Sequence, residues 1–219
     1  MDWFLQQLIN GLALGSIYAL IALGYTMVYG VLRFINFAHS DVLMLGAFAA
    51  YFLAPAVGKV LPPQSLISAV VVTLLAAGLC AGLGILIELL AYRPLRNRPK
   101  LTVLITAIGV SLFLESFGQY IFGANPQAFP TLIEDVAIDL PPSWGSLTAL
   151  TVTTGQVIVL GTTLVLMLAL TIIVLKTKIG MAMRALAYNP TACSLMGVNN
   201  NFVISFTFGL GSEIGRAHV

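Results

Sequence analysis

The chain has 219 residues, of which 59% are hydrophobic and 8% are charged, and its formal net charge at pH 7 is +2. Soluble domains carry roughly 25% charged residues, so this composition excludes an ordinary water-soluble fold. The small net charge produces no field that would attract nucleic acid. The composition therefore predicts an integral membrane protein embedded in a lipid bilayer.

Apolar runs follow one another along the chain. They cover residues 8–31, 42–57, 66–91, 101–123 and 151–175, and a sixth begins near Phe202. A helical crossing needs ~20 apolar residues, and the alternation with period two that is typical of barrel strands is absent. We therefore predict an all-α fold, a polytopic membrane helical bundle with about six transmembrane helices. The second run is the shortest and contains Pro55, so the second helix is predicted to be short or broken.

Basic residues indicate which loops face the cytoplasm. Seven of the ten lie in two segments, one with Arg93, Arg96, Arg98 and Lys100 and the other with Lys176, Lys178 and Arg184. Cytoplasmic loops are enriched in Lys and Arg, so both segments are placed inside. The segment 123–150 carries Glu134, Asp135 and Asp139 but no Lys or Arg, which suits the outside. Counting crossings places the N-terminus outside and Arg33 inside.

A polar segment, residues 33–41, interrupts the hydrophobic sequence between the first two runs. Interrupted segments in transporters often line the substrate path, which makes Asn36 and His39 candidate pathway residues. Ser40 is predicted to cap the second helix, with Asp41 favourably placed in its first turn. The alternative is an ordinary cytoplasmic turn in which Asn36 and His39 are solvated. Arg33 and Asp41 are close enough in sequence to pair across the interruption.

Two carboxylates lie inside apolar runs. Glu115 is about 21 Å along a helix from Leu101, in the outer part of the membrane, where an ionisable group faces protein, a watery cavity or the headgroups. It either reaches the outer headgroups or lines a permeation path, together with Gly109 and Ser111 of the same run. Glu88 lies one turn before Arg93 and is predicted to pair with that basic cluster or to reach the cytoplasmic interface.

Sequence signatures of catalysis are absent. The chain has no phosphate-binding Gly-x-x-x-x-Gly-Lys-Ser/Thr loop, no His-Glu-x-x-His helix and no Gly-x-Ser-x-Gly elbow. Its two cysteines and two histidines form no metal-binding pattern. We therefore expect no catalytic residue, no metal site and no cofactor in this chain. A translocation pathway powered by another component remains.

The segment after the fifth run, residues 176–198, is predicted to form a short amphipathic helix. Pro190 either interrupts this helix or starts a second one, and Gly197 stands where a helix ends. Such an element on the cytoplasmic face suits docking of a partner or of anionic lipid. One side of it would carry Arg184, Ala185, Tyr188, Ala192, Leu195 and Met196.

Three stretches together resemble one family. They are Gly180-x-x-x-Arg184-Ala185 followed by Ala192-x-x-Leu195-Met196-Gly197-Val198, then Asn10–Leu20 with Tyr29–His39, and Ile108–Glu115 with Phe122-Gly123. The first is similar to the loop through which permeases of bacterial ABC importers contact their ATPases. All three, in this order over residues 8–212, resemble the permeases of high-affinity branched-chain amino acid importers.

The resemblance implies a membrane-spanning permease subunit in the bacterial inner membrane, crossing it several times. It implies a sibling permease subunit, cytoplasmic ATPase subunits that bind the ATP, and an extracytoplasmic amino-acid-binding protein that would meet the outer loop containing Trp144. Nucleotide binding and hydrolysis would switch the pore between outward and inward access. It implies an ATPase-coupling loop with Gly180, Arg184, Ala185, Ala192, Leu195 and Gly197. It also implies a substrate pathway near Asn36, His39, Ser40, Asp41, Gly109, Ser111 and Glu115.

This sequence departs from the family pattern in two places. Ser40 stands where the family usually has glycine, and serine does not adopt every glycine conformation. Family members continue for two or three more spans, so residues 1–212 are interpreted as an incomplete permease domain and residues 213–219 as a foreign tail. The shared motifs do not define the cargo. A urea or short-chain amide permease and a membrane scaffold subunit without transport activity are the alternatives.

Overall fold

The computed structural model describes residues 2–62, 65–96, 98–130, 136–139 and 151–214. This part of the chain contains eight α-helices and two short strands. The helices are α1 (Asp2–Leu32), α2 (His39–Val57), α3 (Leu66–Ile87), α4 (Lys100–Phe122), α5 (Thr154–Lys176), α6 (Lys178–Tyr188), α7 (Pro190–Leu195) and α8 (Asn200–Ile214). The strands are β1 (Ala137–Asp139) and β2 (Thr151–Thr153), which pair antiparallel with Ile138 opposite Val152.

Five of these helices, α1 to α5, are long and apolar enough to cross a membrane. This confirms the all-α polytopic bundle. With 19 residues α2 is the shortest of the five, and it runs without a break from His39 to Val57 with Pro55 in its last turn. The interruption therefore lies before α2 and not within it. The sixth apolar run forms α8, which begins at Asn200.

Helix α8 is central to the packing. It lies against α1 and α3, while α2 packs on α3, α5 on α1 and α4 on α2. The contact with α1 is close because both helices carry glycine there, and a Cβ atom on Gly24 would lie 2.6 Å from the carbonyl oxygen of Gly211. The largest buried side chains around α3 and α8 include Tyr92, Phe208, Met183 and Glu88.

The cytoplasmic end of α3 departs from regular α-helix geometry. A π-helical turn, Glu88–Tyr92, follows α3 and leads into a 3₁₀ turn, Arg93–Leu95. Pro94 lies in the 3₁₀ turn and has no N–H to donate, and its ring clashes with the carbonyl one turn earlier. The backbone widens just before this proline, and π-helical turns of this kind are often found at functional sites.

The two ends of the bundle match the predicted sidedness. Gln6 in α1 exchanges two hydrogen bonds with the main chain of Thr151, at 2.9 and 3.1 Å, so the N-terminus lies beside the strand pair. At the other end Arg96 and Lys100 of the first basic segment line one cavity together with Leu186 of α6, the helix that carries Lys178 and Arg184 of the second segment. Of the predicted outer loop, Glu134, Asp135 and Trp144 lie outside the described residues.

Candidate functional site

The interruption between α1 and α2 folds into the protein. Arg33 ends α1 with a φ of 55°, in the left-handed region that is unfavourable for a residue with a side chain. Three residues later the chain turns inward, so that Asn36 is 7% and His39 5% exposed. The alternative of a solvated turn therefore does not hold for these two side chains.

Asn36 is held by a tyrosine of the π-helical turn. The Tyr92 hydroxyl donates a hydrogen bond of 2.6 Å to Asn36 Oδ1. The Tyr92 ring packs against Phe34, with ring centroids 5.3 Å apart, and against Phe208 of α8, at 5.4 Å. Tyr92 thus joins the interruption, α3 and α8. Sequence reasoning missed this residue, because 56 positions separate it from Asn36 and no spacing rule links them.

His39 lies at the crossing of α1 and α8. A Cβ atom on Gly24 would lie 3.2 Å from its imidazole, and the Tyr25 ring stands edge-on to it with centroids 6.0 Å apart. Its Nε2 atom is buried and has no hydrogen-bond partner among the residues that the structure describes. The imidazole of His39 therefore lies inside the helical bundle and not in solvent.

Ser40 does not cap α2. The N-cap is Ala38, and Ser40, one residue inside the helix, donates a 3.3 Å hydrogen bond to the carbonyl of Phe37. The helix thus starts two residues earlier than a cap at Ser40 would give, and its N-cap has no side-chain hydrogen bond. Asp41 does lie in the first turn, as predicted. It accepts a hydrogen bond from the Ser111 hydroxyl of α4, and the structure records no pairing with Arg33.

The other two candidates on α4 lie apart from this group. Gly109 and Glu115 are exposed, and a Cβ atom on Gly109 would meet no atom within 4 Å. Within the described residues Glu115 has no hydrogen bond or ion pair. The face that α4 buries against this chain instead contains Val103, Ala107, Leu114 and Gly118. The structure thus brings Ser111 to the interruption but leaves Gly109 and Glu115 on the outer surface of this chain.

Glu88 is the centre of a second polar group. It is 0% exposed, forms an ion pair with Arg96 and accepts a 2.5 Å hydrogen bond from the Ser205 hydroxyl of α8. Arg96 Nη1 donates a further hydrogen bond of 2.6 Å to Asn201 Oδ1. The predicted pairing of Glu88 with the basic cluster is present, with Arg96 as the partner.

The charge state of Arg96 follows from this pairing. Burial lowers the pKa of the guanidinium, while the charge and hydrogen bond of Glu88 raise it. Because an arginine loses its proton only far above neutral pH, the guanidinium of Arg96 stays charged under physiological conditions. Removing the two charged side chains from water is unfavourable, and the hydrogen bonds from Ser205 to Glu88 and from Arg96 to Asn201 offset this cost.

The cytoplasmic segment forms two short helices joined at Pro190. Thr177 caps α6 by accepting a 3.1 Å hydrogen bond from the Gly180 N–H. Asn189 caps α7 by accepting from the N–H groups of Thr191 and Ala192, at 3.0 and 3.1 Å. Of the two alternatives for Pro190, the structure has the second: it starts a new helix. Gly197, with a φ of 80°, follows α7 in the left-handed conformation that glycine adopts readily.

Gly180 is the contact point between α6 and α5. A Cβ atom there would overlap the main chain of Ile173 and Val174, at the end of α5. The glycine therefore lets α6 turn back tightly against the membrane helix, with Met183 and Leu186 buried beside it. The guanidinium of Arg184 reaches the same end of α5, where its Nη2 lies 3.5 Å from the carbonyl oxygen of Leu175.

An apolar patch, which we call the coupling surface, covers the outside of α6 and α7. Tyr188, Leu195 and Met196 are 86%, 84% and 83% exposed. Large apolar side chains exposed together mark a surface that contacts either another protein or the membrane. The residues of the coupling surface, all exposed, are Met181, Arg184, Ala185, Tyr188, Ala192, Leu195 and Met196.

Hydrogen bonds connect the coupling surface with the interruption. Asn200, the first residue of α8, donates to the carbonyl of Pro190 at 2.9 Å and to the Ser194 hydroxyl at 2.7 Å. Asn201, the next residue of α8, reaches Arg96, and Ser205, one turn further along, reaches Glu88. The π-helical turn that bears Glu88 also bears Tyr92. A movement of α7 can therefore reach the α1–α2 interruption through α8 and the end of α3.

Comparison with known proteins agrees with this architecture. Residues 7–215 match the family model described as branched-chain amino acid transport system, permease component. The chain is similar to the high-affinity branched-chain amino acid transport system permease protein LivH of Escherichia coli (strain K12), with 37% identity over 219 residues that cover 97% of this chain and 68% of the relative. LivH of Salmonella typhimurium is 39% identical over 212 residues, with the same coverage. The permease protein BraD of Pseudomonas aeruginosa is 35% identical over 218 residues, covering 96% of this chain and 68% of BraD. No solved structure gave a significant match.

Proposed function

The chain belongs to the family of branched-chain amino acid transport permease components, and we propose that it is a membrane-spanning subunit of an ATP-driven importer of leucine, isoleucine and valine. The observation that carries the proposal is the coupling surface, an exposed apolar face on two capped helices beside the cytoplasmic ends of α1 and α5. A permease subunit that is driven by a separate ATPase needs a surface that binds this ATPase.

The partners are part of the proposal. Cytoplasmic ATPase subunits bind the coupling surface and hold the ATP, a sibling permease subunit completes the pore, and an extracytoplasmic binding protein delivers the amino acid. The location is the bacterial inner membrane, with the basic segments on the cytoplasmic side. The many apolar side chains exposed on α1, α3, α4 and α5 are available to lipid and to the sibling subunit.

Switching between outward and inward access is proposed to use the polar contacts described above. Closure of the ATPases would move α6 and α7, and Asn200 would pass this movement to α8. Because α8 holds Glu88 through Ser205, the π-helical turn would shift with it and change the hold of Tyr92 on Asn36. The substrate pathway would run by the interruption, where Asn36, His39 and Asp41 lie, with Ser111 opposite.

The two alternatives have no specific observation in their favour. A urea or short-chain amide permease shares the coupling and packing motifs, but the relatives compared above are named for branched-chain amino acid transport. A scaffold without transport would not require buried, hydrogen-bonded polar residues at an interruption between membrane helices, because an isolated polar group is costly inside a membrane.

Uptake by reconstituted vesicles tests the proposal. The chain is purified with its partner subunits, placed in proteoliposomes with ATP on the ATPase side, and supplied with the binding protein. We expect ATP-dependent uptake of labelled leucine and no ATP-dependent uptake of labelled urea. Uptake of urea but not of leucine would replace the proposed cargo, and uptake of neither would favour the scaffold.

A further inference from the structure

A groove between α1, α5 and α6 lies at the cytoplasmic end of the bundle. Its volume is about 410 Å³, which is within the range of ~300–1,000 Å³ that ligand pockets occupy. Helices α1 and α5 pack together at Leu20 and Leu170, and the groove starts at this contact. It follows α1 from Leu23 to Val31 and α5 as far as Leu175, and α6 closes its cytoplasmic end. Eight residues of helix measure ~12 Å, close to the thickness of one leaflet of a ~30 Å hydrocarbon core.

The hydroxyl groups inside the groove are already hydrogen-bonded. Its lining is apolar except for two threonines and an arginine at the cytoplasmic end. The Thr26 hydroxyl donates to the carbonyl of Leu23 at 3.1 Å. The Thr171 hydroxyl donates to the carbonyl of Met167 at 2.7 Å, so both threonines are satisfied within their own helices. A zwitterionic solute would lose its water in this space without gaining a partner, whereas a hydrocarbon chain fits it.

The cytoplasmic end of the groove is positively charged. Arg184 lies in its lining, and among the described residues its guanidinium forms no ion pair and donates one hydrogen bond, of 3.5 Å, to the carbonyl of Leu175. Lys176 and Lys178 follow Leu175 in the chain, and both are exposed. The sequence from 151 to 212 contains no Asp or Glu. Basic pockets between membrane helices on the cytoplasmic side bind anionic lipid head groups.

We propose that the groove binds an anionic phospholipid of the inner leaflet, with one acyl chain between α1 and α5 and its phosphate at Arg184. The apolar interior and the charged end correspond to the two parts of such a molecule. The ATPase subunits of the proposed function are cytoplasmic and do not enter the hydrocarbon region, so they cannot fill the interior. The proposal depends on the membrane embedding and sidedness of the chain and not on its cargo. A bound lipid would hold α6, and with it the coupling surface, against the ends of α1 and α5.

Photolabelling tests where the lipid binds. The chain, assembled with its partner subunits, is placed in phosphatidylcholine nanodiscs that contain a small share of phosphatidylglycerol with a diazirine on one acyl chain, and the labelled peptides are identified by mass spectrometry. We expect labels at residues 23–31 and 170–175. Unlabelled phosphatidylglycerol should compete about tenfold better than phosphatidylcholine with the same acyl chains, as a preference of ~1.4 kcal/mol gives.

Two results would overturn the proposal. Labels on other exposed helices but none in the groove would show that the sibling subunit and not lipid fills it. Competition by glycerol phosphate, which has the phosphate but no acyl chain, equal to that by phosphatidylglycerol would indicate a plain anion site.

Gly30→Leu tests the acyl-chain site by filling it. Gly30 lines the groove, and a Cβ atom there would meet nothing within 4 Å, so the larger side chain has room but takes the space of the lipid. Labelling of residues 170–175 should fall about tenfold. Gly11→Leu is the matched control, because Gly11 also lies on α1 with open space around it but does not line the groove. Wild-type labelling of a folded Gly30→Leu protein would overturn the proposal.

Arg184→Gln tests the head-group site independently of Gly30. The label should stay in the groove, but phosphatidylglycerol should lose most of its advantage over phosphatidylcholine. Lys59→Gln, an exposed cation beyond the other end of α2, is the control. An unchanged preference in Arg184→Gln would overturn the assignment of the phosphate. Lipid labelling is measured without ATP or leucine, so failure of leucine uptake would leave the lipid site standing, and loss of the label would leave the importer function in place.

Discussion

The hydroxyl of Ser111 in α4 donates a hydrogen bond to the carboxylate of Asp41 in α2, across 70 positions of sequence. Both residues are half-buried; Ser111 belongs to the stretch Ile108–Glu115 that resembles the permease family, and Asp41 lies two residues after the stretch Tyr29–His39. The contact fixes the start of α2 against the middle of α4. It also holds the Asp41 carboxylate beside the interruption.

A double-mutant cycle on this pair measures its strength. Ser111→Ala and Asp41→Ala should each destabilise the protein, and the double variant should lose less than their sum, with a coupling of about 1.5–3 kcal/mol for a hydrogen bond to a charged group. Denaturation in detergent micelles gives the stabilities. Ser116→Ala, on the exposed face of α4, is the control, and additive effects at Ser111 and Asp41 would contradict the contact.

Tyr92→Phe tests the hold on the interruption. Removing the hydroxyl leaves Asn36 Oδ1 buried without its donor, which should cost about 1–3 kcal/mol and reduce ATP-driven uptake. Thermal unfolding and vesicle uptake are measured on the same preparation. Tyr120→Phe is the matched control, because that side chain is exposed on α4. Unchanged uptake with lowered stability would limit Tyr92 to a structural role.

Glu88→Gln tests the buried ion pair. The substitution keeps the shape of the side chain but leaves Arg96 without its counter-charge, and breaking a buried pair in this way costs about 3–5 kcal/mol. We expect a clear fall in the unfolding temperature. Glu115→Gln applies the same chemical change at an exposed position and should leave that temperature unchanged. Equal shifts for the two variants would contradict the assignment of Glu88 to a buried network.

Gly180→Val should displace α6. The added side chain would overlap the carbonyl groups of Ile173 and Val174, so the coupling surface could no longer sit against the end of α5. If this displacement costs ~1.4 kcal/mol or more, the fraction of molecules whose α6 is correctly placed falls about tenfold. Uptake should fall to the same extent, while the protein still inserts into the membrane. Gly161→Val on α5 meets open space and serves as the control. Normal transport by the Gly180 variant would show that tight packing of α6 is dispensable.

Arg184→Glu should uncouple ATP hydrolysis from uptake. The reversal places a negative charge beside the C-terminal carbonyl groups of α5, where the helix dipole favours a cation, and it changes the charge of the coupling surface. ATP hydrolysis and leucine uptake are followed together in proteoliposomes. The control is Lys59→Glu, the same charge reversal just after the C-terminus of α2 and away from the coupling surface. Coupled transport at the wild-type rate would remove Arg184 from the docking element.

The sequence by itself determined the fold class, the positions of the five long apolar helices and the shared side of the two basic segments, and it left two alternatives for Pro190. These follow from local quantities, because a run of apolar residues is long enough to cross a bilayer or it is not, and Lys and Arg are enriched in loops on one side of the membrane. The start of α2 was predicted two residues too late, since the helix begins at His39 and not after a cap at Ser40.

Only the tertiary structure decided which polar groups meet. Asn36 with Tyr92, Asp41 with Ser111, and Glu88 with Ser205 are separated by 56, 70 and 117 positions. A polar side chain in a membrane helix must find a partner, but the partner's identity depends on which helices cross and at what height, and glycines such as Gly24 and Gly180 set those distances. Gly109 and Glu115 lie in the same motif as Ser111 but on the outer surface of the chain, because the packing of the helices decides which face of α4 is buried.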